Sequence, residues 1–385
     1  MKRMGSIWLV CCLFLVMLPL QAEAVALEVA GKSAVLMDAA TGTVLYESNS
    51  HEALAPASVT KVMTMLLIME AIDSGKIGWD DLVTASEAAV AKGGSQIYLK
   101  VGESMTVSDM VKSIAVSSAN DCACAMAEHL SGSEGAFVEQ MNQRAKELGM
   151  NDTNFVNCTG LDDAPDAANH KTSAYDIALM SRELLKNHPD IKKFTTIWMD
   201  TVRGGAFGLA NTNKMVRFYD GCTGLKTGFT SGAGYCLSSS AQRDGLELIA
   251  VVMGAKTSQE RFAACKSMLD YGFANFALYT PALQEGVSVP VVLGKMDSVN
   301  AIPGDSTALL VEKGQLSSVT SEVALEENIT APVSRGQRLG TLTIKSGEQV
   351  LSQVPLVAET AVERLSWGDI FVNLLRRMAM AKSGI

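Results

Sequence analysis

Ser58 and Lys61 have the residue types and the spacing for nucleophilic catalysis. They lie three positions apart in the segment PASVTKVM, and on a helix such residues share one face, with Cβ atoms about 5–6 Å apart. A serine hydroxyl is a weak nucleophile until a base takes its proton, and lysine can be that base when burial lowers its pKa. The run VMTMLLIMEAI after Lys61 is almost entirely apolar, which favours burial. The pair alone is weak evidence, because S-x-x-K arises by chance in a chain of 385 residues.

Two further motifs could complete a site for acyl transfer. Ser118-Ala119-Asn120 supplies a second hydroxyl and an amide, and Lys226-Thr227-Gly228 supplies a cation, a hydroxyl and an unobstructed backbone. The set S-x-x-K, S-x-N and K-T-G resembles the signature of penicillin-binding proteins and class A β-lactamases. Similar triplets begin at Lys171, Lys256 and Ser298, but their order or their predicted context does not fit that signature.

The chain resembles the D-alanyl-D-alanine carboxypeptidases, low-molecular-mass penicillin-binding proteins of serine peptidase family S11 and of the penicillin-binding protein 5 type. The resemblance extends from about Ala34 to the C-terminus. It runs through VLMDAATGTVLYE, LAPASVTKVMT, SSANDCA, NFVNCTGLDD, DGCTGLKTGFT and VSRGQRLGTLTI. It implies an α/β (α+β) domain of the β-lactamase/transpeptidase type, in which helices flank an antiparallel sheet. A small all-β C-terminal domain and an amphipathic terminal helix would follow.

The resemblance also implies catalytic roles. Ser58 would attack the carbonyl between two terminal D-alanines and form an acyl-enzyme, and Lys61 would take its proton. Ser118 would relay a proton to the departing D-alanine. Backbone N–H groups of Ser58 and Phe229 would form the oxyanion hole. The residues implied to bind substrate are Asn120, Lys226, Thr227, Gly228, Phe229 and Arg261.

Each substrate-binding residue has an implied task. Asn120 would hydrogen-bond the substrate amide, and Lys226 would hold the region around Ser118 electropositive. Thr227 would contact the terminal carboxylate, and Gly228 would keep the strand clear for a substrate beside it. These roles come from the resemblance and are expectations for this chain.

Three positions depart from the family pattern or leave its interpretation open. Phe229 stands where relatives often have histidine, so we expect altered substrate fit with activity retained. Arg261 would either help to place the substrate carboxylate or form a salt bridge on a helix surface. The region around His170 lacks the E-x-x-L-N pattern that supplies a deacylating glutamate in β-lactamases. We therefore expect slow deacylation, with β-lactams acting as covalent inhibitors.

The net charge and the composition restrict the kinds of ligand and partner that we expect this protein to bind. The net charge of −9 and the pI of about 5.1 argue against nucleic-acid binding. With four histidines in the chain and Cys122 too near Cys124 for a usual zinc pair, we expect neither a metal nor another cofactor. Six cysteines follow the N-terminal segment. We interpret them as buried thiols, with Cys222 and Cys236 as the pair to test for a bridge.

The two ends of the chain predict export and membrane contact. Lys2 and Arg3, an apolar run and an A-x-A site predict a signal peptide over residues 1–24, with a membrane-spanning anchor as the alternative. Residues 361–385 predict an amphipathic helix carrying Trp367 and the basic pair Arg376-Arg377, suited to a membrane interface. The alternative is a helix docked on the protein itself. We expect the protein at the outer face of the cytoplasmic membrane or in the cell wall.

The remaining chain divides into a catalytic domain over 25–280 and an all-β domain over 281–360. The expected function is removal of the terminal D-alanine from peptidoglycan pentapeptides, in cell-wall biosynthesis and remodelling. A D,D-endopeptidase that cleaves peptide cross-links is the first alternative, and a catalytically silent wall-binding scaffold is the second. A β-lactamase is disfavoured by the missing glutamate motif and by the extra domain.

Overall fold

The computed structural model describes residues 27–162, 166–281, 287–305, 307–327 and 329–381, and side chains of the last helix up to residue 375. The predicted signal peptide and the side chains of Arg376 and Arg377 lie outside the described part. The strands up to residue 280 are β1 (Ser33–Asp38), β2 (Val44–Ser48), β3 (Leu82–Thr84), β4 (Ser104–Thr106), β5 (Met199–Val202), β6 (Phe207–Ala210), β7 (Cys222–Thr230), β8 (Gly234–Arg243), β9 (Leu246–Ala255) and β10 (Phe276–Tyr279).

The strands after residue 280 are β11 (Ser288–Val292), β12 (Ser298–Pro303), β13 (Leu309–Glu312), β14 (Val319–Leu325), β15 (Ile329–Thr330), β16 (Arg338–Ser346) and β17 (Gln349–Ala358). The α-helices are α1 (Lys61–Asp73), α2 (Glu87–Val90), α3 (Val107–Ser117), α4 (Asn120–Ser131), α5 (Glu134–Glu147), α6 (Ala174–Asn187), α7 (Lys192–Thr195), α8 (Met215–Phe218), α9 (Ser258–Asn275) and α10 (Trp367–Ala381).

A five-stranded antiparallel sheet forms the centre of the first half, in the order β2-β1-β9-β8-β7. The alternation of side chains along a strand gives this sheet two buried faces. One face packs on the core that includes α1, α3, α4 and α6, and the other packs on α9. The predicted antiparallel sheet flanked by helices is therefore confirmed. Strand β7 lies at the edge of the sheet, next to the turn that carries Ser58.

Helix α1 is buried on nearly every side, as its apolar sequence predicts. Nine of its 13 residues are buried. A helix with apolar side chains all round belongs in the interior of a protein, and α1 contacts α3, α4 and α6 there. Its first residue is Lys61. The fold therefore places a lysine at the start of a buried helix, where its amine is removed from water.

The segment 104–130, which contains the Ser118-Ala119-Asn120 motif, forms β4 and then two helices. Helix α3 ends at Ser117 and α4 begins at Asn120. Between them, Ser118 takes the left-handed conformation, with φ 63° and ψ 31°. Because L-residues rarely adopt this conformation, the break is sharp. It leaves Ser118 between the two helices and makes Asn120 the first residue of α4.

The C-terminal part is all-β, as predicted, apart from the last helix. A six-stranded sheet has the order β14-β16-β17-β12-β11-β15, and it buries a core of its own on Val289, Leu342 and Leu356. Helix α10 follows it. Within the described chain, no helix is both long enough and apolar enough to cross a bilayer.

The cysteines of the described chain are free thiols. Cys222 lies opposite Ala241 in the β7–β8 ladder, and Cys236 lies opposite Gly228. The two positions are several residues apart along the same strand pair. The suggested bridge between Cys222 and Cys236 is therefore not formed.

Candidate active site

Ser58 lies in a short turn that the backbone holds in a strained form. The turn Ala57–Thr60 is a single 3₁₀ turn before α1, and Ala57 has a φ of +48°, a value that is costly for a residue with a Cβ atom. Gly160, with φ +81°, packs so closely that a Cβ atom there would lie 1.8 Å from the Ala57 carbonyl oxygen. The loop around Gly160 therefore fixes the backbone from which Ser58 projects.

Lys61 and Ser58 form a hydrogen-bonded pair. The Nζ atom of Lys61 donates to Oγ of Ser58 at 2.9 Å and to the carbonyl oxygen of Thr159 at 2.8 Å. Lys61 is fully buried, and burial lowers its pKa to about 7, against smaller opposing effects of Cys158 and Asp121. A large share of Lys61 is thus neutral near pH 7. It can accept the Ser58 proton, which is the requirement for nucleophilic attack.

The second motif brings a hydroxyl and an amide to the site. Ser118 and Asn120 are both buried. The Nδ2 atom of Asn120 donates to the Gly93 carbonyl at 2.7 Å, and its backbone N–H donates to the Ser95 carbonyl at 2.7 Å. The Oδ1 atom of Asn120 is buried without a hydrogen-bond partner among the described residues. A buried acceptor without a partner is costly, and a substrate N–H group would satisfy it.

The third motif lies on edge strand β7. Lys226 is fully buried, and its Nζ atom donates to the Thr227 carbonyl at 2.9 Å. Burial is the main cause that holds the pKa of Lys226 well below its usual range, and the positive charges of Lys61 and Arg261 lower it further. The described contacts of Lys226 do not include a bond to Ser118, so its implied effect on Ser118 would act through charge. The hydroxyl of Thr227 donates to Oγ1 of Thr212 at 2.7 Å.

Gly228 allows the edge strand to approach the nucleophile turn. A Cβ atom on Gly228 would lie 2.6 Å from the Pro56 carbonyl oxygen and 3.1 Å from the Ser58 nitrogen. Gly228 was expected to keep the strand clear for substrate. It also has a structural role, because any side chain at this position would push β7 away from Ser58. The backbone of β7 at Gly228 therefore lies close to the Ser58 nitrogen. The N–H groups of Ser58 and of the next residue, Phe229, are the two expected to form the oxyanion hole.

Arg261 is buried, with 7% of its surface exposed. Its guanidinium donates to the carbonyl oxygens of Gly228 at 2.8 Å and Cys236 at 3.3 Å, and burial lowers its pKa. The alternative of a surface salt bridge is therefore wrong. In this structure Arg261 holds the backbone of β7 and β8 in place. This role does not require Arg261 to contact a substrate carboxylate.

Phe229 is half exposed at the end of this strand. Its side chain is 54% exposed, and its ring lies 4.3 Å from that of Tyr235, centroid to centroid. The Tyr235 ring in turn lies 5.3 Å from the Arg261 guanidinium. Phe229 thus extends a series of flat groups from the buried Arg261 to the protein surface.

His170 supports the nucleophile turn in one defined tautomer. Its Nδ1 atom accepts the backbone N–H of Val156 at 3.0 Å, so Nε2 carries the proton that bonds Oγ1 of Thr60 at 2.8 Å. The Thr60 hydroxyl is then free to donate to the Ala57 carbonyl at 2.9 Å. Burial lowers the pKa of His170 to about 4, so the neutral ring is the form present near pH 7. His170 therefore has a structural role at the nucleophile turn.

Several residues that hold the site together carry no motif. The sequence motifs do not include Thr159, Gly160 or Thr212. The first two belong to Asn-Cys-Thr-Gly before Leu161, which is a recognisable turn composition. Thr212 donates its backbone N–H to the Val116 carbonyl at 3.1 Å, and its hydroxyl accepts from Thr227. It thus joins the end of α3 to β7. No sequence signal marks this position.

One group of potential metal ligands occurs in the described chain, away from Ser58. Glu70, Glu183 and His188 bring their ligand atoms within 4.8 Å of one another. Both carboxylates are already bound by Arg144, at 2.7 Å for Glu70 and 2.5 Å for Glu183. The guanidinium of Arg144 therefore balances the negative charge of these two carboxylates.

The arrangement can carry out serine acyl transfer. It offers a hydroxyl with a neutral amine at hydrogen-bond distance, a second hydroxyl, a buried amide acceptor and an accessible strand edge. These are the parts that an acyl-enzyme mechanism requires. They come from three distant segments of the chain, which the sheet and the helices α1, α3 and α4 bring together.

Comparisons with known proteins agree with this chemistry. Residues 20–257 match the family described as D-alanyl-D-alanine carboxypeptidase, and residues 280–364 match the C-terminal domain of penicillin-binding protein 5. The chain is 45% identical over 352 residues to the D-alanyl-D-alanine carboxypeptidase DacF of Bacillus subtilis, and the match covers 90% of this chain and 88% of that protein.

Two solved structures are similar over different shares of the chain. Penicillin-binding protein 5 from Haemophilus influenzae is 31% identical with a TM-score of 0.73, covering 88% of this chain and 98% of that one. Penicillin-binding protein D2 from Listeria monocytogenes, in its ampicillin-bound form, is 32% identical with a TM-score of 0.59, covering 64% of this chain and 99% of that one. The chain therefore belongs to peptidase family S11, the D-alanyl-D-alanine carboxypeptidases, which are serine peptidases and penicillin-binding proteins.

Proposed function

We propose that this protein removes the terminal D-alanine from peptidoglycan pentapeptides through an acyl-enzyme on Ser58. The observation that carries the proposal is the Lys61–Ser58 contact of 2.9 Å at a fully buried lysine. The lowered pKa of Lys61, about 7, gives a base that is ready at neutral pH. Membership of the carboxypeptidase family supports the substrate class.

In the proposed first step, neutral Lys61 takes the Ser58 proton while Oγ attacks the carbonyl carbon of the penultimate D-alanine. The oxyanion lies between the N–H groups of Ser58 and Phe229, and each such donor contributes about 3 kcal/mol in comparable enzymes. The C–N bond then breaks, and the departing amine takes a proton by way of Ser118. Water hydrolyses the ester and restores the Ser58 hydroxyl.

The remaining site residues hold the substrate in this proposal. The free Oδ1 atom of Asn120 accepts the substrate amide N–H, and Thr227 meets the terminal carboxylate. Lys226, whose Nζ atom donates to the Thr227 carbonyl, supplies positive charge to this region in its protonated form. Arg261 and Gly228 fix the strand edge through their contacts with the backbone of β7, β8 and the nucleophile turn. The exposed Phe229 ring lies beside the leaving group.

Covalent inhibition by β-lactams belongs to the same proposal. A β-lactam presents an amide carbonyl to Ser58 and gives an ester of the same kind. Two observations support slow release: the family membership, and the lack of the E-x-x-L-N pattern that would bring a glutamate to activate water. His170, in that region, is neutral and already bonded to Thr60 and Val156.

We further propose that α10 lies on the outer face of the cytoplasmic membrane. Trp367 is 89% exposed, and Phe371, Leu374 and Leu375 on the same helical face are also exposed. Apolar side chains in such an arrangement suit a membrane interface. The division into 25–280, 281–360 and 361–385 is part of this proposal, and the two family matches at 20–257 and 280–364 support it.

One experiment tests the catalytic proposal directly. The purified protein is incubated with labelled penicillin, and the adduct is located by mass spectrometry of peptides. We expect modification of Ser58, none in the S58A variant, and release of D-alanine from a pentapeptide by the wild type. Folded protein that leaves Ser58 unmodified would favour the wall-binding scaffold.

A further inference from the structure

Tyr98 has a strained backbone conformation, and its side chain is turned out of the protein. Its φ is +58°, in the left-handed region that residues with a Cβ atom rarely adopt. The backbone N–H groups of its two neighbours, Ile97 and Leu99, donate to the buried Asp121 carboxylate at 3.2 Å and 3.0 Å. Ile97 and Leu99 are buried, whereas 69% of Tyr98 is exposed. Strain of this kind persists only where the surrounding structure enforces it, and it is concentrated at functional sites.

A second aromatic ring lies beside Tyr98, on the hairpin formed by β5 and β6. The ring centroids of Tyr98 and Phe207 are 6.4 Å apart, in an edge-to-face arrangement. Arg203, in the turn of the hairpin, has its guanidinium 5.4 Å from the centroid of the Phe207 ring. The same guanidinium donates to the carbonyl oxygens of Ile97 at 2.8 Å and Tyr98 at 3.3 Å, which holds the loop and the hairpin together. Tyr98, Arg203 and Phe207 are called the aromatic platform below.

The loop 93–99, which carries Tyr98, contacts the candidate active site directly. Asn120 donates from its Nδ2 atom to the Gly93 carbonyl and from its backbone N–H to the Ser95 carbonyl, both at 2.7 Å. A Cβ atom on Gly94 would lie 2.8 Å from the Nδ2 atom of Asn120. The loop therefore packs against the side chain whose free oxygen is proposed to bind substrate.

The hairpin is joined to the site at its base. Two residues after β6, the hydroxyl of Thr212 accepts from the Thr227 hydroxyl at 2.7 Å. The backbone N–H of Thr212 donates to the Val116 carbonyl at 3.1 Å, near the end of α3. The aromatic platform is thus fixed to the S-x-N motif through the loop and to the K-T-G motif through the hairpin.

The length of the substrate matches the position of the platform. In the proposed function Thr227 meets the terminal carboxylate and Asn120 bonds a substrate amide, so the rest of the peptide leaves the site past Asn120. The four residues that precede the terminal D-alanine of a pentapeptide span about 14 Å when extended. Tyr98 follows Ser95 by three residues, so their Cα atoms are at most about 11 Å apart. The sugar at the start of the peptide therefore comes within reach of the platform.

We propose that the aromatic platform binds a sugar ring of the glycan strand to which the stem peptide is attached. This rests on the proposed function, because the peptide bound at Ser58 brings the sugar to the platform. The apolar C–H face of a sugar ring packs on the flat surface of an aromatic side chain. Rings that the backbone holds in a fixed orientation provide this contact at a low cost in conformational entropy. The platform thus distinguishes a pentapeptide on glycan from a free one.

The test compares a free pentapeptide with the same pentapeptide attached to its amino-sugar disaccharide. In the wild type we expect a lower KM for the attached peptide. Y98A should raise that KM about fivefold, with kcat for both substrates and the KM of the free pentapeptide unchanged. Y98F keeps the ring and should match the wild type. F218A is the control, because it removes a ring that is 75% exposed on α8, which packs with α9 on the other face of the sheet.

The outcomes separate this proposal from the proposed function. If the wild type has the same KM for both substrates, or if Y98A affects both equally, the glycan proposal is wrong and the carboxypeptidase stands. If Ser58 is not acylated and neither substrate is cleaved, the proposed function is wrong. Calorimetric titration with the disaccharide that carries no peptide then decides the glycan proposal by itself. Weaker binding to Y98A than to the wild type supports it, and equal binding or none overturns it.

Discussion

The Nζ atom of Lys61 lies 2.9 Å from the Oγ atom of Ser58, where a buried helix begins. This is a hydrogen-bond distance, so the hydroxyl proton of Ser58 can pass directly to the amine of Lys61. Burial decides which form of the lysine is present, since it lowers the pKa of Lys61 from 10.5 to about 7. The geometry and the burial together make the pair active near neutral pH.

The acylation rate should therefore depend on pH. Below the Lys61 pKa of about 7, the protonated amine cannot accept the Ser58 proton, so the rate should fall about tenfold per pH unit. Above that pH the rate should level off. The measurement is the rate of labelled-penicillin attachment from pH 5 to pH 9, with K61Q as the control that removes the base. A flat profile over this range would show that Lys61 is not the base.

His170 should make the protein sensitive to acid. Its pKa is about 4 in the folded protein, against 6.5 for an exposed imidazole, so between these values the unfolded chain binds more protons. The stability that this group contributes is then fully present above pH 6.5 and falls as the pH drops towards 4. At 1.36 kcal/mol per pKa unit, the loss is about 3 kcal/mol.

Denaturant unfolding at pH 7 and pH 4.5 measures this effect. The H170Q variant keeps a side chain that can hydrogen-bond but cannot titrate in this range. Its stability should change less between the two pH values than that of the wild type. An equal change in both proteins would assign the acid sensitivity to other groups.

The G228A variant should separate β7 from the nucleophile turn. The new Cβ atom would lie 2.6 Å from the Pro56 carbonyl oxygen, a distance that only a backbone shift can relieve. Since small displacements at a reacting centre are costly, we expect the penicillin acylation rate to fall about 100-fold. G232A is the matched control in the following turn, where the nearest atom is the Asp162 Oδ2 at 3.5 Å. Normal acylation by G228A would mean that the strand does not need this close approach.

The residues of the site that the sequence revealed are those whose side chains do chemistry. Ser58, Lys61 and Ser118 stand in motifs, and the apolar run after Lys61 already indicated the burial that lowers its pKa. The turn Arg243-Asp244-Gly245 between two β-rich runs likewise marks the pairing of β8 with β9, because alternation and turns are local properties.

The supporting contacts could not be predicted in this way. Thr159 holds Lys61 through a main-chain carbonyl, a group that every residue of the chain offers. Arg261 bonds the carbonyls of Gly228 and Cys236, which depends on how α9 packs on the sheet. Such contacts follow from the tertiary structure, and no spacing in the sequence encodes them.

Replacing Arg261 should weaken catalysis through the strand it holds. R261K keeps the charge but loses the planar group that reaches the Gly228 and Cys236 carbonyls. Because the Phe229 N–H is part of the same backbone, we expect kcat for a pentapeptide to fall about tenfold, while KM changes less. A contact with the substrate carboxylate would instead raise KM, and R217K on the exposed side of α8 should change neither.

Removing α10 should release the protein from membranes. The deletion has to begin after Leu365, because Val362 is buried and pairs with Val333 in the β domain. A chain ending at Leu365 should keep penicillin acylation and move from the membrane to the soluble fraction. The double variant F371S/L375S, on the exposed apolar face, should do the same, whereas N373S on the polar face should stay at the membrane. Retention of F371S/L375S at the membrane would mean that the apolar face of α10 is not the anchor.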